Sequence, residues 1–96
     1  MSNEEITNLV DEMREEFQIP PYCPDQQLIN LAKEGEQTVG GLNPGCSITK
    51  DLTYRMLLKN YMYYGYHHRV HEFMDNYASV ILTWQMETEV ETDGNA

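Results

Sequence analysis

The stretch Thr49–Trp84, TKDLTYRMLLKNYMYYGYHHRVHEFMDNYASVILTW, decides how this chain folds. It reads as two helices joined by a histidine-rich corner near Tyr66–Val70, and it carries all but two of the aromatic residues. On a helical wheel, Leu52, Met56 and Tyr63 fall on one side of the first helix. Tyr54, Leu57, Leu58, Tyr61 and Gly65 fall on nearly the opposite side. A helix apolar on two opposed faces must be covered on both. In so short a chain the expected covers are the chain's own core on one face and another molecule on the other. In the second helix Phe73, Tyr77, Ile81 and Trp84 step by four, four and three, a single strong stripe. Met74, Ala78 and Leu82 run beside it and are expected to widen the buried face.

Two further helices precede this unit. Ile6, Leu9, Val10, Met13 and Phe17 recur at helical spacing over Asn3–Phe17, opposite Glu4, Glu5, Asp11, Glu12, Glu15 and Glu16. Asn3 is the expected N-cap. The prolines of QIPPYCP (18–24) form a rigid elbow, because each lacks a backbone donor and restrains its predecessor. Asp25 then caps a helix with Leu28, Ile29, Ala32 and Val39 on its apolar side. Gly35 in its middle either weakens it or admits a close neighbour. Gly40 and Gly41 end it, and GGLNPGCS (40–47) is a turn-rich loop. Ser47 or Thr49 is the expected cap of the third helix, with Asp51 in its first turn. Four helices with short connections predict a small all-α four-helix bundle over residues 1–85.

Residues 86–96 break the period. Met86, Thr88, Val90 and Thr92 alternate with Glu87, Glu89, Glu91 and Asp93, which predicts an extended acidic C-terminal arm. Such an arm either adds as a strand to a partner's sheet edge or stays a solvated acidic tail.

Ninety-six residues allow one domain, and a domain of this size buries only about 60% of the surface its unfolded chain exposes. Six Lys plus Arg against sixteen Asp plus Glu give a net charge of −10, which repels phosphate backbones and anionic membranes. The inverse is open: such a surface can repel DNA usefully or imitate it. The acidic amino terminus lacks a signal-peptide pattern, and no apolar run approaches a membrane span. A soluble protein made in the cytoplasm, with no membrane partner, is expected. Cys23 and Cys46 lie in loops without metal spacing; a disulfide is geometrically possible, and reduced thiols are the favoured reading.

Of His67, His68 and His71, the first and last sit four apart and would share a face, with Glu72 or Asp75 as an oxygen ligand, only on an unbroken helix, and the break is expected there. Polar corner histidines are favoured over a metal site. The carboxylates read as solvated surface rather than acid/base pairs. Cys46 and Ser47 lack an identifiable base, and no hydrolase elbow or phosphate loop occurs. No catalytic residue, metal or cofactor is expected, and the chain is read as not an enzyme. The tyrosine excess favours interfaces instead.

The helix opening Asp25-x-x-Leu28-Ile29, the segment LLKNYMYYGY (57–66) and the segment EFMDNY (72–77) together resemble the small head–tail connector proteins of tailed bacteriophages, also called adaptor or head-completion proteins. The likeness spans roughly residues 4–84. It implies an all-α virion subunit at the capsid vertex that forms a homo-oligomeric ring, typically of about twelve copies, below the portal protein. Such a ring extends the channel for genomic DNA, which passes without specific binding, and it docks a downstream neck or tail protein. On this reading Tyr54, Leu57, Leu58, Tyr61, Tyr64 and Tyr66 would meet the neighbouring subunit. Met86, Glu87, Thr88, Glu89, Val90, Glu91 and Thr92 would form an arm reaching the portal. A small acidic helical inhibitor or DNA mimic, occupying a nucleic-acid-binding protein, is the alternative.

Overall fold

The computed structural model describes residues 1–94 and the side chains of residues 1–87. Four helices follow in order: α1 (Asn3–Phe17), α2 (Asp25–Gly40), α3 (Leu52–Tyr66) and α4 (Val70–Gly94). The small all-α four-helix bundle expected from the sequence is the observed architecture. The extended arm is not: the backbone from Met86 to Gly94 continues α4. The alternation of Thr and Val with acids suits a half-buried strand, but there is no described strand to pair with, and helix keeps the backbone bonded locally. The side chains of Thr88, Glu89, Val90, Glu91 and Thr92 lie outside the described residues.

Helix ends are set by side chains one or a few positions from those expected. Ser2, not Asn3, caps α1: its Oγ accepts from the Glu5 amide (3.1 Å), and the Glu5 carboxylate accepts from the Ser2 amide (2.8 Å). This reciprocal pair satisfies two amides that a helix start leaves without partners. Asp25 is not a cap but the first residue of α2, after Pro24. Its carboxylate serves another purpose. The Arg14 guanidinium donates to Asp25 Oδ1 from Nε (3.1 Å) and Nη2 (2.8 Å), and also to the carbonyls of Pro20 (3.2 Å) and Cys23. One planar fork thus fixes the proline elbow, adding to the turn bond from the Cys23 amide to the Pro20 carbonyl (3.0 Å).

The cap of α3 is Asp51, whose Oδ1 accepts from the Tyr54 amide (3.1 Å). Ser47 and Thr49 instead bond each other (3.0 Å) in the preceding turn. The other oxygen of Asp51 accepts from Trp84 Nε1 (2.7 Å), so one carboxylate joins the start of α3 to α4.

The third helix is the centre of the bundle and packs against all three others, while among the described residues α4 meets no helix but α3. Leu57, Leu58 and Met62 are fully buried, together with Leu9, Met13, Leu28, Ala32, Val39 and Phe73. Gly35 lets α2 and α3 meet closely: a Cβ there would stand 2.3 Å from Leu58 Cδ1 and 2.9 Å from Tyr61 Cδ1. Of the two readings open for this glycine, close approach is the correct one.

Candidate functional site

The residues of α3 expected to meet a neighbouring subunit lie mostly inside their own chain, whereas on the opposed face Leu52 is 77% exposed. Tyr54, Leu57, Leu58 and Tyr61 are 0–5% exposed within their own chain. They offer almost no surface to a neighbouring subunit in this fold. Their cover is supplied from two directions: α2 closes on Leu58 and Tyr61 at Gly35, while Trp84 stacks on Tyr54 and Phe73 meets Tyr61 edge-on. On the opposed side Phe17 of α1 stacks on Tyr63, with ring centroids 4.3 Å apart. A helical wheel shows that two faces need covers; it does not show whose residues supply them.

Part of the tyrosine excess is used inside the chain, although Tyr22 is 84% exposed. Tyr64 meets Phe73 and Tyr77 edge-on and accepts a hydrogen bond from Asn76 (3.1 Å). Tyr77 donates to Asn60 Oδ1 (3.0 Å). Of the six residues named as a subunit interface, only Tyr64 and Tyr66 keep partial exposure.

Exposed apolar side chains lie instead at Tyr22, at Leu52 and in a group on α4. Phe73, Ile81 and Trp84 are buried against α3 as the stripe requires, with Tyr77 half-buried among them. Met74, Ala78 and Leu82, each one position further along, are exposed rather than buried. A single neighbouring helix covers only one side of α4, and a step of one residue turns a side chain by about 100° away from it. Met74 is 38%, Leu82 57% and Met86 55% exposed. With Ala78 they form a row at successive four-residue steps, which is one ridge of a helix surface. Val80 is exposed on the other edge of the buried stripe. The helical spacing that suggested a wider core is therefore the spacing of a surface ridge.

At the corner, His67 follows the last residue of α3, His68 has a left-handed backbone (φ 59°), and His71 lies in α4. The break separates His67 from His71, and all three rings are exposed. Among the described residues, no group of three His, Cys, Asp or Glu side chains is placed to hold a metal ion. Both cysteines are unpaired, Cys23 buried and Cys46 half-buried. Burial, reinforced by Asp51, pushes the Cys46 thiol up and away from the thiolate, its nucleophilic form. No described helix is long and apolar enough to cross a membrane.

The charges are unevenly used. Arg55 pairs with Glu12 (Nε–Oε1 3.1 Å), and Lys59 pairs with Glu16 (2.6 Å) and Glu12 (3.4 Å), a small network that ties α1 to α3. Glu12 and Glu16, expected to be merely solvated, are therefore partnered. Glu4, Asp11 and Glu15 remain exposed along α1. The chain matches no protein-family profile, and no curated protein or solved structure matches it at a significant level.

Proposed function

We propose that this chain is a structural assembly subunit of the head–tail connector kind. In this reading it is a non-enzymatic virion protein that forms a ring below the portal at the capsid vertex. The ring extends the DNA channel and docks the next neck or tail protein. The observation that carries the reading is the exposed row Met74, Ala78, Leu82 and Met86 on α4. A small domain that leaves a contiguous apolar ridge on its longest helix is built to meet another protein surface. The subunit contact is thereby moved from α3 to α4. The acidic C-terminal portion of α4 is the segment proposed to reach the portal, as a helix rather than a strand. Supporting the channel role, a net charge of −10 per subunit offers passing phosphates no attractive surface.

Electron microscopy of the protein mixed with portal complexes tests this. Rings seated on the portal are the expected outcome, and portals that remain bare at saturating protein would reject it. The second reading, an acidic inhibitor that imitates DNA, is favoured by one observation. Glu4, Asp11 and Glu15 fall on one exposed line of α1. Binding to a basic DNA-binding protein that weakens steeply with salt would select that reading.

A further inference from the structure

We infer that two copies of this chain exchange their α4 helices: α3 and α4 straighten into one helix, and each α4 packs on α3 of the other copy. The corner between them is built unlike the other two. The α1–α2 connection holds Pro20, Pro21 and Pro24, and the α2–α3 connection holds Gly41, Pro44 and Gly45, residues that stop a helix. From Tyr66 to Asp93 there is neither a proline nor a glycine. The turn is closed instead by two bonds, from the His68 amide to the Gly65 carbonyl (3.0 Å) and from the Arg69 amide to the Tyr64 carbonyl (2.7 Å). That pattern puts His68 in left-handed backbone (φ 59°), a position usually held by glycine. Arg69, just before α4, has a side chain with no acceptor for the amides of the first turn.

Ordinary helical backbone at His67 and His68 removes the left-handed residue and lets the carbonyls of residues 66–69 take the amides of residues 70–73. Local preference thus favours a straight segment, and what bends it is the buried stripe of α4. Trp84 stacks on Tyr54 and donates to Asp51 (2.7 Å), and Phe73 meets Tyr61 edge-on. Among the described residues α4 packs on no other helix, so it can leave without breaking a second contact of that kind. A second copy offers the identical α3 face. Exchange therefore keeps the stripe covered and drops only the corner, the combination that strained short connections invite.

In the closed chain α4 reaches its own α3 through a short connection, at an effective concentration of about millimolar. A second copy competes only near that concentration, and α4 must first detach. The exchanged pair is therefore a product of refolding in concentrated solution. The inference concerns the free protein and does not rest on the connector reading.

Refolding from urea at about millimolar protein, followed by gel filtration, tests the exchange, with a dimer expected beside the monomer. The path of one chain is read by electron-spin distance measurement between labels at Leu52→Cys and Leu82→Cys, in a Cys46→Ser background with unlabelled chain in excess. Both positions are exposed, and buried Cys23 escapes a reagent applied to the native protein. In the monomer the two labels flank the Trp84–Asp51 bond and lie close together. In the dimer they are expected about 45 Å apart, the length of the straight helix between them. His68→Gly eases the left-handed corner and weakens the straight helix, so it is expected to lower the association constant about tenfold or more. A chain that stays monomeric, a dimer whose label distance equals the monomer's, or a His68→Gly chain that pairs as tightly as the parent would overturn the inference.

Discussion

Gly35 and Tyr54 show how much single positions decide in a core this small. Helix propensity alone says that Gly35→Ala should stabilise α2 by about 1 kcal/mol. The Leu58 methyl, 2.3 Å from where that Cβ would stand, says the opposite. Overpacking of this kind costs about 1–3 kcal/mol, and Tyr61 Cδ1, 2.9 Å from the same Cβ, would have to shift as well. The variant is therefore expected to unfold at lower urea concentration than the parent, with an unchanged denaturant slope. Tyr54 governs the alkaline limit. Burial, then the nearby Cys46, Glu36 and Glu5, push its hydroxyl from an ordinary 10.0 up to about 12. Below about pH 10 the hydroxyl is protonated in both states and its own contribution to stability is level. Above it the unfolded chain releases a proton that the folded chain retains, so stability falls by about 1.4 kcal/mol per pH unit until about pH 12. Tyr54→Phe should flatten most of that slope in urea titrations between pH 8 and 11. A smaller slope should remain, because burial and Tyr64 also push Tyr77 up.

At the scale of elements, the amphipathic helices were legible where one face alone is buried. Residues Asn3–Phe17 read from Ile6, Leu9, Val10 and Met13 are α1 at its observed bounds, and the break at His67–Arg69 falls where the histidine corner placed it. Legibility failed at both helices of the deciding stretch, for one reason. The pattern of a wheel records which side chains avoid water, and the cover comes from tertiary neighbours that the pattern does not name. For α3 the neighbours of one side are internal, so Tyr54, Leu57, Leu58 and Tyr61 are core, and on the other side Tyr63 is covered by Phe17 while Leu52 stays exposed. For α4 the one helical neighbour among the described residues is α3, so Met74, Ala78 and Leu82 are left outside. The candidate contact surface was thus in view as residues and misplaced as a role. The caps were missed by smaller margins. Ser2 and Asp51 have side chains as suited to capping as Asn3 and Thr49, and the chain path decided between them. The Asp51–Trp84 bond spans 33 positions in sequence, and nothing local signals it.

For the whole molecule, the balance between its acids sets how it responds to salt. The fold measures 49 × 29 × 20 Å. At about 0.01 M salt the screening length is about 30 Å, so exposed acids on opposite sides of the molecule still repel one another. At about 0.15 M it is about 8 Å, and only adjacent charges interact. Two contributions move in opposite directions over that range. The general repulsion of a −10 chain fades, which favours the folded state. The ion pairs of Arg55 and Lys59 with Glu12 and Glu16 weaken too, but those lysine and arginine side chains are mostly buried and screened less. Arg14 is 20% exposed, but its partner Asp25 is 73% exposed, so that pair is screened as a surface one. Salt therefore removes more repulsion than attraction, and the melting temperature should rise by about several degrees between low and physiological salt. The rise is expected from scanning calorimetry. A melting temperature that falls with salt would mean that the α1–α3 ion network outweighs the uncompensated acids.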